Sequence, residues 1–241
     1  MTKNGRKLTV ESRIELVETD GRRLVFESAR DITERKHWEQ RQQLLLGELT
    51  HRVRNTLTVV QAIAHQTLKT SESNKEFVEL FDGRLVALGN AHGLLVESQW
   101  RGASLAALAR RTLEPYILKQ PDKLRLAGPA VILPADIATP FALVLHELAT
   151  NAARYGSLSD ENGTINLRWT LNALNGPPLL TVVWEELGGP TVQTPKQQGF
   201  GSSLIASGIP GAKVEHKFQP RGLVCKIELS MPKVVEDEAR E

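Results

Sequence analysis

Residues 145–156 read Leu-His-Glu-Leu-Ala-Thr-Asn-Ala-Ala-Arg-Tyr-Gly. The stretch from Asp136 to Tyr155 is rich in apolar residues and Gly156 follows it, so the pattern predicts a helix closed at that glycine. Glu147, Asn151 and Arg154 stand at i, i+4 and i+7 and share a face, opposite Leu143, Val144, Leu148, Ala149 and Ala152. A carboxylate and an amide oxygen one turn apart suit a hard cation such as Mg²⁺, which takes oxygen ligands and keeps several waters. An arginine one turn further can reach phosphate. A plain solvated polar stripe would look the same, so the neighbouring segments have to decide between the two.

On the C-terminal side, TINLRWTLNA and PLLTVVWEE read as strands. The second ends in Trp184-Glu185-Glu186-Leu187-Gly188-Gly189-Pro190, a carboxylate beside a glycine pair. A Gly/Pro/Gln loop leads to Gly199-Phe200-Gly201-Ser202 and a short helix, SSLIASGI. Glycine-rich turns at a helix start expose backbone N–H groups toward anions, and a strand-end carboxylate can accept from an adenine amino group. Each glycine cluster alone marks only a turn. The informative feature is the order: polar helix, strand ending in carboxylate and Gly-Gly, loop, Gly-x-Gly, helix. AKVEHKF and LVCKIELSM follow as strands around Pro220-Arg221-Gly222, and the charged tail reads as frayed. Upstream, LAALARRTLEPYI reads as an amphipathic helix, and KLRLAG and AVIL as short strands or a strand pair around Gly128-Pro129. Helices alternating with hairpins predict an α+β sandwich from about residue 102.

Toward the N-terminus, residues 34–70 read as one long helix with apolar residues near 3.5-residue spacing: Leu46, Leu49, Val53, Val60, Ile63 and Thr67, with Leu57 nearby. SESN at 71–74 is a turn, and a second helix from Lys75 to Ser98 predicts an antiparallel hairpin. On the long helix His51 lies about 200° from Leu49 and about 160° from Val53, so it points off the apolar seam. Asn55 is one turn on and Glu48 one turn back. An exposed imidazole in such company can act as a nucleophile toward phosphate, and a free imidazole is mostly neutral at pH 7, as attack requires. An ordinary surface histidine would have the same placement. Residues 1–33 read as strands with a turn at Asp20-Gly21, too few to bury a core, as in the tail end of a domain whose front is missing.

The 241 residues suffice for one large domain or two to three small ones. Thirty Lys+Arg against 28 Asp+Glu give a net charge of +2, without the basic excess of a dedicated nucleic-acid binder. One cysteine, Cys225, excludes an intrachain disulfide framework and a cysteine-rich zinc site. No apolar run is long enough to span a membrane, and no apolar signal segment opens the chain. The expectation is a cytoplasmic protein with no nucleic-acid or membrane partner in this chain.

Taken together, these motifs resemble a sensor histidine kinase of the HWE subfamily, whose ATP-binding domain is of the GHKL type. The His and the Trp-x-Glu that name the subfamily stand here as His146 and as Trp184 with Glu186. HELATNAARYGSLS at 146–159 carries the match furthest, and the resemblance covers nearly the whole chain. His51-Arg52 with Asn55 and Leu57 is similar to the phosphoacceptor box. Arg84-Leu-Val-Ala-Leu through Ala91-His92 and Leu94-Leu95 is similar to the second helix of the dimerisation hairpin. Asp31-Ile32-Thr33-Glu34-Arg35-Lys36 resembles the junction at which PAS domains pass into a signalling helix.

The resemblance implies C-terminal PAS strands at 1–33, a signalling helix and phosphoacceptor hairpin at 34–101, a GHKL-type α/β sandwich at 102–235 and a tail at 236–241. It implies ATP and Mg²⁺ as cofactors, a response-regulator receiver domain as partner and a homodimer through the hairpin. His51 would accept the γ-phosphoryl group; Glu147 and Asn151 would hold Mg²⁺; Arg154 and Tyr155 would lie near the phosphates or ribose. Glu186 would meet the adenine amino group, and Gly188, Gly189, Gly199 and Gly201 would shape the pocket and its lid. Two features depart from the commonest histidine kinases. Arg52, rather than an acid, follows the phosphoacceptor, as in other HWE members, leaving Glu48 or water as the base. Ser203 stands where the family often has an arginine. Two rival readings are a non-catalytic interaction module with a degenerate GHKL domain, against which the intact Glu147, Asn151, Glu186 and glycine pairs argue, and a GHKL serine kinase, which would lack the upstream hairpin.

Overall fold

The computed structural model describes residues 7–19, 22–118, 120–173, 176–191 and 200–231. It falls into two compact units, Met1–Ala62 and Ile63–Glu241, which divide inside one long helix. The Asp20-Gly21 turn, Gly199 and the C-terminal tail lie outside the described residues.

In the first unit, β1 (Val10–Thr19) and β2 (Arg22–Asp31) pair antiparallel, with Val10 opposite Asp31 and Thr19 opposite Arg22. The hairpin is tied to the helix that follows, α1 (Thr33–Thr70). The buried Thr33 hydroxyl accepts from the Thr9 N–H at 2.8 Å, and Asp31 Oδ1 accepts from the Thr33 N–H at 2.9 Å. The second bond caps a free N–H of the helix start. The seam residues Leu46, Leu49, Val53 and Leu57 are exposed.

The second unit contains the end of α1, α2 (Asn74–Glu97), β3 (Ala103–Ser104), α3 (Leu105–Ile117), β4 (Leu124–Ala127), β5 (Ile132–Leu133), α4 (Ala135–Arg154), β6 (Thr164–Asn172), β7 (Leu179–Leu187), α5 (Phe200–Ser207), β8 (Lys213–Gln219) and β9 (Gly222–Ser230). Five strands form a mixed sheet in the order β4-β6-β7-β9-β8, with β4 parallel to β6 and the other pairs antiparallel. Alternation along β7 buries Leu180, Val182, Trp184 and Glu186 on one face, as period-2 patterning requires. Ile165, Leu167, Cys225 and Ile227 join them from the neighbouring strands, and the helices supply Phe141, Val144, Leu145, Leu148, Leu105 and Leu108. The result is a two-layer sandwich of helices on a sheet, the fold class the sequence predicts.

One local expectation needs correction. KLRLAG and AVIL do not pair with each other: β4 joins the main sheet beside β6, whereas β5 pairs with β3 at Ala103 and Ser104. The expected hairpin helix α2 spends its buried stripe, Ala87, Leu88, Ala91, Leu94 and Leu95, on packing against α3 and α4. The physical reason is that α4 is buried on most of its circumference, so its outer side needs an apolar cover that the sheet cannot provide.

Candidate nucleotide site and phosphoacceptor helix

The polar stripe of α4 grades from buried to exposed along the helix. Glu147 is buried, Asn151 half-buried and Arg154 exposed; Tyr155, just past the helix end, is exposed as well. The sequence pattern alone had Glu147, Asn151 and Arg154 on one polar face. Glu147 is buried because α2 crosses it. Arg84 Nε donates to Glu147 Oε1 at 2.7 Å and Arg84 Nη2 to Oε2 at 3.1 Å, while Nη1 donates to Thr67 Oγ1 at 2.6 Å. Nearer the end of α4, Arg154 Nη1 donates to Glu76 Oε1 at 3.4 Å. Glu76 also takes part in the cap of α2, accepting from the Glu72 N–H while its own N–H donates to Ser73 Oγ.

Gly201, at the start of α5, comes up against this stripe. A Cβ there would lie 2.5 Å from Glu147 Oε2 and 3.8 Å from Asn151 Nδ2. The structure therefore brings Gly201 together with Glu147 and Asn151, residues that lie at least 50 positions before it, and the close approach depends on the missing side chain.

Glu186 and the first glycine pair form a second group. Glu186 is buried; Oε2 accepts from the Ser157 N–H at 2.9 Å and Oε1 from the Trp184 indole N–H at 3.1 Å. Burial pushes the Glu186 carboxyl above its ordinary value, and the Ser157 and Trp184 donors pull it partly back. Gly188 adopts φ +73°, and a Cβ on Gly189 would meet the Ser157 backbone at 2.6–2.8 Å. The pair thus lets the end of β7 press onto the turn that leaves α4. Trp184 and Glu186 sit two residues apart on one strand face, and this explains the Trp-x-Glu spacing in physical terms: the indole orients the carboxylate.

His146 is a core residue. Its Nδ1 lies 2.9 Å from the Tyr116 hydroxyl, which is 2.8 Å from Thr150 Oγ1, and burial holds the imidazole below its ordinary value. It bridges α4 and α3 as a neutral ring. Arg84, Thr67, Glu76 and Tyr116 are the residues that motif reading left without a role. For Arg84 a signal was present: it continues the buried stripe of α2 (84, 87/88, 91, 94/95), and a charge on an apolar stripe requires a buried counter-ion.

In the first unit His51 is exposed on α1, with Asn55 Nδ2 3.5 Å from its Nδ1. Glu48 is engaged by Arg52, one turn on. Among the described residues no group of three or more His, Cys, Asp and Glu side chains is gathered for a metal ion, and no helix is long and apolar enough to cross a membrane.

The second unit is thus a helical layer with the polar helix α4, packed on a mixed sheet and joined by the short helix α5. The blue-light activated histidine kinase EL346 of Erythrobacter litoralis shares this fold, with a TM-score of 0.56 over 76% of this chain and 60% of its own, at 17% identity. Residues 48–130 match the HWE histidine kinase family. A blue-light-activated histidine kinase of Brucella anthropi is 36% identical over 200 residues, 82% of this chain and 41% of the relative. One from Brucella ovis is 33% identical over 207 residues, 85% and 42% respectively. Residues 48–130 thus fall in the HWE histidine kinase family, and the chain spans about two fifths of the length of these curated relatives.

Proposed function

We propose that this chain carries the kinase part of a two-component sensor: it binds Mg·ATP on α4, transfers the γ-phosphoryl group to His51, and passes it on to an aspartate of a response-regulator receiver domain. The observation that carries this reading is the convergence of Glu147, Asn151 and Gly201 on one face of a histidine-kinase fold. The donor set suits the ligand: an amide oxygen and a carboxylate for a hard cation, a glycine-opened helix that can approach phosphate, and an arginine at the helix end. Asn151 is the residue to hold Mg²⁺, which when bound neutralises charge on the phosphates. Arg154 and Tyr155 stand at the exposed end of α4, beside the phosphates or ribose. Glu186 uses two of its roughly four acceptor positions on Ser157 and Trp184 and keeps the others for the adenine amino group. Gly188, Gly189 and Gly201, together with Gly199, shape the pocket.

Phosphoryl transfer depends on alignment and charge neutralisation more than on covalent help from the protein. His51 stands free on the helix surface, and Asn55 is the group that orients it. The Asn55 amide nitrogen stands 3.5 Å from Nδ1; with the amide turned over, its oxygen would accept the Nδ1 proton and leave the Nε2 lone pair for the phosphoryl group. Glu48 is held by Arg52, which favours water as the proton acceptor. The exposed row on α1 supports pairing with a second copy of the chain.

Incubation with Mg²⁺ and γ-labelled ATP tests the reading. The expected result is label that survives base and is lost in acid, and that is absent from His51→Ala. Acid-stable label would indicate a hydroxyl acceptor and a serine-kinase chemistry instead.

A further inference from the structure

Arg84 and Glu147 are the most deeply buried ion pair of the described residues, with side chains 3% and 6% exposed. The guanidinium meets both carboxylate oxygens in a fork, and its remaining nitrogen is spent on Thr67, whose own hydroxyl donates to the Ile63 carbonyl at 2.6 Å. Such a fork fixes orientation as well as charge. By contrast the Glu76–Arg154 pair on the same two helices is 3.4 Å long and about one third exposed, so water competes with it.

A divalent cation bound directly to Glu147 would share one buried carboxylate with this guanidinium. The two cations would repel each other where solvent screens them poorly. We propose that Arg84 is a positioning residue of the nucleotide site. It holds the Glu147 carboxylate aimed at Gly201, so that the metal falls to Asn151 as its direct protein ligand and Glu147 acts as a fixed wall beside it. The site then includes a residue of α2, from outside the sandwich at 102–235. This inference rests on the reading of α4 as the Mg·ATP face, and it changes the role of Glu147 from inner metal ligand to oriented neighbour.

The test uses the whole chain and calorimetric titration with ATP over a series of Mg²⁺ concentrations, with thermal melting alongside. Arg84→Met leaves a buried carboxylate unpaired, so it melts lower and binds Mg·ATP about ten- to a hundredfold more weakly, the usual effect of losing such a supporting partner. Arg84→Lys keeps the charge without the fork and recovers part of the affinity. The double variant Arg84→Met/Glu147→Gln removes both charges; it regains most of the melting temperature while Mg·ATP binding stays weak. A merely structural pair would give a double variant with wild-type affinity and wild-type Mg²⁺ dependence, which overturns the inference. Tighter Mg·ATP binding by Arg84→Met would overturn it too, because the arginine would then be a competitor of the metal. Absence of Mg²⁺-dependent ATP binding by the wild-type chain would overturn the nucleotide reading itself, and this inference with it.

Discussion

His146 illustrates how a residue can identify a family by its sequence position and still work through packing. Its ring lies in the core between α4 and α3, hydrogen-bonded to Tyr116, and burial lowers its affinity for protons; Arg84 lowers it further and Glu147 opposes the shift. A lowered folded-state value means that the unfolded chain takes up protons first as the pH drops. The stability contribution is therefore complete above about pH 6.5, the ordinary histidine value, and is lost as the pH falls through the lower folded value. His92 and His216 shift the same way through burial. Glu186, raised by burial, acts in the opposite sense: its contribution is greatest in acid and lost as the pH rises through its folded value. It is common to wild type and variant, so it cancels in their difference. His146→Asn keeps an acceptor or donor for Tyr116 without titrating. Its melting temperature is expected to fall less than that of the wild type between about pH 7.5 and pH 5. Parallel melting curves would show that His146 is not the titrating group.

At the scale of elements, α2 sets the state of the α4 stripe through two ion pairs of different character. The exposed Glu76–Arg154 pair belongs to the class worth about 0–1 kcal/mol. Glu76→Gln, which keeps an acceptor for the Glu72 N–H, should leave the melting temperature within a degree or two and hold or modestly raise ATP affinity, because Arg154 is released toward phosphate; Arg154→Ala should lower that affinity. Titration of the two variants with Mg·ATP checks both signs. This pairing also shows where the sequence could be read and where it could not. The α4 helix and the strands β6 to β9 follow from short-range periodicity and turn chemistry, and the structure has them as expected. The burial of Glu147 depends on Arg84, 63 positions away, and the assignment of β4 and β5 depends on partners in β6 and β3. Neither is encoded in local pattern. The closest available clue was Arg84 itself, a charge in line with the small apolar residues of α2, read only as part of a helix motif.

On the whole-molecule scale the division into compact units falls between Ala62 and Ile63, inside α1, so one continuous helix serves both. On the first unit the row Leu46, Leu49, Val53 and Leu57 is 51–59% exposed. These positions recur at the spacing of a helix–helix seam, and a long helix of this composition is rarely left with such a row in water. His51 lies off the row, so a second helix can cover the apolar residues and leave the imidazole open. The expected state is a dimer through α1, observed as twice the chain mass by light scattering. Leu49→Glu/Val53→Glu places charges in the seam and should convert it to a monomer, while Mg·ATP binding by the second unit stays at the wild-type level, since none of its residues is altered. A wild-type chain that is monomeric at all concentrations, with the same hydrodynamic size as the double variant, would mean that the row does not mediate self-association.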